Sequence, residues 1–205
     1  SVYLTQPFFF VFLQVILLLV TTYSIGSEGK FHTSANWLAV ADGNTWVAVT
    51  AKLLPYSFIF IVMSILANYV FFGAMHIPMD CGFWALNLTS ALLVIATQAL
   101  AVFLFSLFPA LSIIISIVSM VGSLGATLGG VTFPVLHMFA PVYYASYLFP
   151  VRHFTEMMQT MLYGGGGFIH LWPSAVILCI FPLLALSLLP HLKRAIESHK
   201  YENIK

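Results

Sequence analysis

Few side chains in this 205-residue chain could do chemistry, and their spacing opposes a catalytic centre. His137, His153 and His170 fall in one stretch, but not at a spacing that closes around a metal ion. Ser123 with His137 lacks a helix-embedded nucleophile motif and a histidine on a separate span, so an intramembrane serine protease is excluded. The glycine-rich runs at 122–125 and 164–167 are not followed by Gly-Lys-Ser/Thr, so neither can cradle and neutralise phosphates. Cys81 and Cys179 are too few for a disulfide framework and read as small apolar residues. The chain is therefore expected to catalyse nothing and to bind no cofactor directly.

The polar residues inside apolar runs carry more information. Gln14, Asn68, Asn87 and Gln98 cost free energy in hydrocarbon, so they are expected to face protein or a cavity. Either they bond between helices, at about 0.6 kcal/mol each, or they line a path. Gly122, Ala126 and Gly130 recur every fourth residue, with Gly125 and Gly129 alongside, a pattern that lets helix backbones approach closely within or between subunits. Ser112, Ser116, Ser119 and Ser123 add a hydroxyl stripe to the same segment. Candidates for a substrate path or subunit contact are thus Asn68, Asn87, Gln98, Ser116, Ser119, Gly122, Gly125 and Gly129. Met158 joins them from a separate amphipathic segment.

The elements that must position these residues follow from composition. Of all residues 61% are hydrophobic and 6% charged, against about 25% charged in an ordinary soluble domain. Residues 1–27, 53–79, 81–151 and 157–192 hold no Asp, Glu, Lys or Arg. This excludes a soluble globular domain, a disordered segment and a nucleic-acid-binding surface. A spanning helix needs roughly 20 mostly apolar residues, and five stretches qualify, near 7–23, 53–72, 82–108, 111–130 and 172–189. The fold class is all-α, integral to a membrane and multi-pass. Pro134, Pro141 and Pro150 divide 131–170 into pieces too short to span. Within that region Phe154, Met157, Met158, Met161 and Leu162 share one face of an amphipathic helix over 151–163, with Arg152, His153, Glu156 and Gln159 opposite. The Met-rich face is expected on the outer leaflet or the outlet of a path. Residues 24–50 form a polar loop with a short helix through Trp37, Leu38 and Val40, capped by Thr33 or Ser34 and stopped near Asp42 and Gly43.

Lys30, Lys52, Lys193, Arg194, Lys200 and Lys205 fall on one side of a five-span topology, and Arg152 alone falls on the other. Cytoplasmic loops concentrate Lys and Arg, so the C-terminus and the 24–50 loop are expected in the cytoplasm, with Ser1 outside. The first apolar run has no basic flank or small-residue cleavage site, so it reads as a span rather than a signal peptide.

The order of features resembles the ABC-2 type transporter permeases. The loop Gly26-Ser-Glu-Gly-Lys-Phe-His-Thr-Ser-Ala-Asn-Trp-Leu38 precedes Ala51-Lys-Leu-Leu-Pro-Tyr56 at the mouth of a span, and Gly129-Gly-Val-Thr-Phe-Pro134 precedes Pro141, Pro150 and an amphipathic helix ending at Gly164. The resemblance covers roughly residues 20–205. It implies a permease half with six membrane helices, of which this segment of a longer protein would be helices two to six. It also implies a second half, as homo- or heterodimer, and a cytoplasmic ABC ATPase that binds the ATP and Mg. The ATPase would dock on the 24–50 loop, with Glu28, Thr33, Trp37, Leu38 and Ala41 as the docking residues. Trp37 read alone is equally an interfacial membrane anchor. The basic-acidic pair common in the family is reduced here to Ser27 and Glu28, and Gly29 to His32 intrude.

The expected function is the membrane half of an ATP-driven exporter in a bacterial inner membrane, in contact with lipid and with no nucleic-acid partner. The rivals are a membrane scaffold or assembly protein, which would share the composition, and an ion-coupled carrier. The carrier would need an acidic residue or lysine deep in a span, and none is present.

Overall fold

Apolar runs of this length can satisfy their backbone polar groups in lipid only within their own helix, and the chain is helical accordingly. The computed structural model describes residues 2–77, 81–131, 138–163 and 171–197, among which there is no strand. The elements are α1 (Val2–Lys30), α2 (Ser34–Val40), α3 (Thr45–Asn68) continuing as a π-helical turn (Tyr69–Ala74), α4 (Phe83–Leu107), α5 (Leu111–Leu128), α6 (Ala140–Ser146), α7 (Pro150–Tyr163) and α8 (Trp172–Glu197). Five of them, α1, α3, α4, α5 and α8, are long and apolar enough to cross a membrane.

α4 and α5 match their expected spans to within two residues, whereas α1, α3 and α8 are longer than the hydropathy alone suggests. α1 continues past Tyr23 to Lys30, so Gly26, Ser27, Glu28 and Gly29 are helical rather than loop. α3 begins at Thr45, where the Asn44 side chain accepts the Trp46 amide at 3.0 Å, and Pro55 therefore lies inside it rather than at its entry. α8 runs past Leu189 to Glu197. Polar residues at the water boundary do not end a helix when nothing disrupts its backbone.

Two Schellman caps make the connections between α1, α2 and α3 abrupt. At the end of α1 the Thr33 amide donates to the Glu28 carbonyl at 2.9 Å and the His32 amide to Gly29 at 3.3 Å, with His32 at φ 55°. At the end of α2 the Gly43 amide donates to Leu38 at 3.0 Å and the Asp42 amide to Ala39 at 3.1 Å, with Asp42 at φ 51°. Each cap satisfies carbonyls that the last helical turn would leave open. Thr33 stands at the start of α2 but makes no side-chain cap bond there.

α4 is the central helix, packing on α8, α1, α3 and α7. Its residues Ala96 to Val102 are buried all the way round, which the alanines permit because small side chains let helices close in. α5 is peripheral and rests mainly on α1. The core divides into two main clusters. One joins Leu18, Ile25, Val49, Phe105, Leu178 and Leu192 towards the α2 end, and the other joins Phe10, Phe71, Leu86, Phe149, Phe154 and Met158 towards the α7 end.

Candidate functional site

The α1–α2–α3 connection is the first region with the character of a site. Lys52 on α3 donates to Glu28 on α1, and the Thr33 hydroxyl donates to the other oxygen of the same carboxylate. The Lys52 ammonium also sits 5.1 Å from the centre of the Trp37 ring. One carboxylate and one ammonium thus join α1, α2 and α3. On α2 itself Ser34 and Leu38 are buried, and Trp37 packs against the core cluster that includes α4 and α8. Trp37 and Leu38, the expected anchors for a partner, point into their own bundle; Ala41 is half-buried. The outward face carries Phe31, 63% exposed, and Val40, 90% exposed, with Ala35, Asn36 and Ala39.

α5 is the second such region, because its small residues separate into two seams. Gly122 faces Val15 of α1, and a Cβ there would lie 3.4 Å from that side chain. Gly125 faces Phe149 and the Gln14 amide, at 3.2 and 3.3 Å by the same measure. A Cβ on Gly129 would sit 2.7 Å from the Gly125 carbonyl oxygen and 2.8 Å from Val151. All three glycines therefore serve close packing within the chain. The hydroxyls do the opposite. Ser112, Ser116, Ser119, Ser123 and Thr127 are all exposed on the outward face of α5. Ser116, Ser119, Ser123 and Thr127 return bonds to carbonyls of their own helix.

This arrangement of five spans, a short helix between the first two and short helices before the last accords with what comparison with known families finds. A family model described as ABC-2 family transporter protein matches residues 1–189. The chain belongs to the ABC-2 transporter family. It is accordingly a multi-pass membrane protein with the role of a transport permease component. No curated protein and no solved structure matches it.

In this ABC-2 permease Asn68, Asn87 and Gln98 are spent on helix-to-helix bonds, while the buried Gln14 carbonyl oxygen has no hydrogen-bonding partner among the described residues. Asn68 is fully buried. Its amide donates to Asn87 at 3.0 Å and to Ser90 at 3.1 Å, and its carbonyl oxygen accepts from Gln6 at 3.5 Å. This node joins α1, α3 and α4 directly before the π-helical turn. Gln98 accepts from Ser57 at 2.6 Å and donates to the Leu53 carbonyl at 3.4 Å. Asn68, Asn87 and Gln98 thus act in the bundle interior, whereas Ser116 and Ser119 face out of it.

The α6–α7 region departs from its sequence reading. Met157, Met158 and Met161 are buried in the core, not turned to lipid, and Arg152 and His153 are buried as well. Almost the whole circumference of α7 is covered, leaving only Gln159 exposed among the residues 151–162. A helix with a strong polar face can be enclosed when that face finds polar partners, which α6 and α8 supply. Among the described residues no His, Cys, Asp or Glu group could hold a metal ion. His137 and His170 lie outside the described residues.

Charge and aromatic placement agree on two ends. Lys30, Lys52 and Lys193 gather where α2 meets α3 and α8, and Arg152 sits at the opposite end. Trp84 and Trp172, both exposed, open α4 and α8 at the Arg152 end, while Trp37 and Trp46 flank the lysine end. Such belts mark the two lipid–water interfaces of a spanning bundle.

Proposed function

We propose that this permease forms the membrane half of an ATP-driven exporter, docking a cytoplasmic ABC ATPase on α2 and pairing with a second half along α5. The observation that carries the reading is the α1–α2–α3 connection. Its outer face shows Phe31 and Val40 to solvent, while Trp37, Leu38 and the Glu28–Lys52 pair tie its inner face to α1, α3 and the core. A force applied to α2 would pass into α3 and α8, which it contacts. Interfaces concentrate their energy in a few apolar anchors, and Val40 and Phe31 are the anchors available. ATP and Mg belong to the ATPase, and this chain supplies surface and movement only.

The hydroxyl seam of α5 supports the pairing. A file of serines costs less against a second protein surface or a hydrated path than against lipid tails, where small residues forgo contact. The second half is a copy of this chain or a related one. The lysine-rich end, with the C-terminus, is the cytoplasmic one, which the bias of cytoplasmic loops towards Lys and Arg supports, and the reading as a bacterial inner-membrane exporter goes with the family resemblance.

The test is Val40→Asp with Phe31→Asp in the intact transporter. Normal abundance with loss of a co-purifying ATPase, or with hydrolysis no longer coupled to transport, is the expected result. If ATPase association and transport both survive the two charges, α2 is not the docking element. A chain that copurifies with envelope proteins but never with an ATPase would favour the scaffold reading.

A further inference from the structure

α6, α7 and the first turn of α8 meet in a polar knot in which His153, Arg152 and Ser174 are buried while Glu156 and the tyrosines are partly exposed. His153 is completely buried. Its Nε2 lies 3.0 Å from the Tyr147 carbonyl and donates to it, which leaves Nδ1 as the unprotonated nitrogen. That Nδ1 is buried with no hydrogen-bonding partner among the described residues. The Tyr147 ring meets the imidazole edge-on with 5.4 Å between centroids, and the Tyr147 hydroxyl lies 2.8 Å from that of Tyr143 on α6. Beside the imidazole is Arg152, 5% exposed, whose guanidinium lies 5.8 Å from the Tyr147 ring and whose Nε is unpartnered. Arg152 reaches Glu156 at 3.6 Å, and Glu156 accepts the Ser174 hydroxyl of α8 at 3.0 Å. One chain of contacts therefore runs from Tyr143 through Tyr147, His153, Arg152 and Glu156 to Ser174.

The charge balance of the knot depends on a neutral imidazole. Among the described residues the groups facing His153 are Arg152 and Glu156 from α7, and Tyr143 and Tyr147 from α6 and the turn after it. α8 brings the Ser174 hydroxyl. α4 and α5 contain no ionisable residue at all, and α1 meets α7 through Phe10 on Phe154. The hydrogen bond from Tyr143, with burial, pushes Tyr147 up to about 12, so Tyr147 stays neutral throughout the range in which a histidine titrates. A proton on Nδ1 would place a second cation beside Arg152, on an atom with no acceptor, and Glu156 is already shared between Arg152 and Ser174.

We propose that this junction is an acid-sensitive latch, in which neutral His153 holds α6 and the Tyr147 turn against α7 and its protonation lets them go. Burial holds His153 below its ordinary value of 6.5, outweighing the hydrogen bond to the Tyr147 carbonyl and the nearby Glu156 charge. A depressed value means that the latch contributes its full strength above the ordinary histidine value. That strength is lost as pH falls below that value and through the folded-state one. The contacts stand independently of the transport reading, which bears only on what α6 would uncover.

The experiment compares two cysteines in otherwise cysteine-free full-length protein, in detergent so that both membrane faces are open. Ser146→Cys lies on the buried side of α6, where the native hydroxyl donates to the Tyr143 carbonyl at 2.6 Å, and Tyr144→Cys lies on its exposed side. The ratio of their rates with a maleimide cancels thiol chemistry. That ratio is expected to rise several-fold between about pH 7.5 and about pH 5.5, which brackets an ordinary histidine. His153→Gln keeps a donor for the Tyr147 carbonyl and cannot titrate, so it should abolish the rise. A flat ratio with His153 present, or the same rise in His153→Gln, overturns the latch. Should the glutamine variant fail to fold, amide exchange on the unsubstituted protein decides. Protection of α6, corrected for intrinsic rate, must fall at the lower pH while α4 stays protected, and equal protection at both values sinks the idea.

Discussion

The two ends of the bundle each knot their helices with charge, and they do it in opposite ways. At the lysine end Glu28 and Lys52 are opposite charges, each about a fifth exposed, with Thr33 and the Trp37 ring completing the contacts. Water reaches the pair, and each charge has the other as its partner. At the other end Arg152 and His153 are both buried, a partly exposed Glu156 is shared between Arg152 and Ser174, and one nitrogen on each of the two basic residues has no partner among the described residues. A balanced pair at the water boundary tolerates change, whereas a buried, under-partnered one is poised, because in low dielectric an unmet polar group costs far more than a met one gains. Under the proposed function, the tolerant end takes force from an ATPase, and under the proposed latch the poised end is the one that opens.

Substitution should rank the two ends. The largest effect is expected from Gly129→Val at the poised end, where even a Cβ would collide with the Gly125 carbonyl and Val151. Overpacking of this kind costs about 1–3 kcal/mol, so thermal unfolding in detergent should shift down markedly. An unchanged midpoint would mean that α5 and α7 are not pressed together. Acid comes next. With His153 held below 6.5 by burial, the unfolding midpoint should fall as pH drops below that value, more steeply than in His153→Gln. Parallel pH profiles for the two proteins would erase the contrast between the ends.

The lysine end should respond less. Glu28→Gln removes a partly solvated pair worth about 1 kcal/mol or less, so stability should change little, and Lys52→Met should behave alike. A loss as large as that of Gly129→Val would show that this pair is as critical as the outer knot. The smallest effect is expected from Gly29→Ala. Nothing lies within 4 Å of a Cβ there, and the residue is helical. Alanine should stabilise by about 0.5–1 kcal/mol through helix propensity, read as a slight rise in midpoint.

Much of the architecture could be read from the residues. Charge-free runs and their lengths marked all five spans, and Lys and Arg placement separated the two ends. The i, i+3, i+4, i+7 spacing of Phe154 to Met161 and Leu162 marked α7, and Asp42-Gly43 marked the end of α2. The end of α1 was not legible, since its cap puts a histidine, His32, in the left-handed position where a glycine would have signalled the stop. The start of α3 was missed for a related reason: Asn44 caps a stretch whose first turns are only mildly apolar. Trp37 is the instructive case for the docking site. A large aromatic in a polar loop looks like an anchor, but whether it anchors a partner or its own bundle depends on where the loop folds.

The sequence by itself determined that this is an all-α membrane protein, which end is basic, and that small residues and serines recur at helical spacing along α5. Only the tertiary structure decided that the glycines turn to α1 and α7 while the serines turn away from the chain, that Asn68, Asn87 and Gln98 join helices, and that Phe31 and Val40 rather than Trp37 and Leu38 face out. The reason is geometric. Periodicity states which residues share a face of a helix, a property of one helix alone. Which neighbour covers that face is set by how closely two backbones can approach, and that depends on the side chains of both.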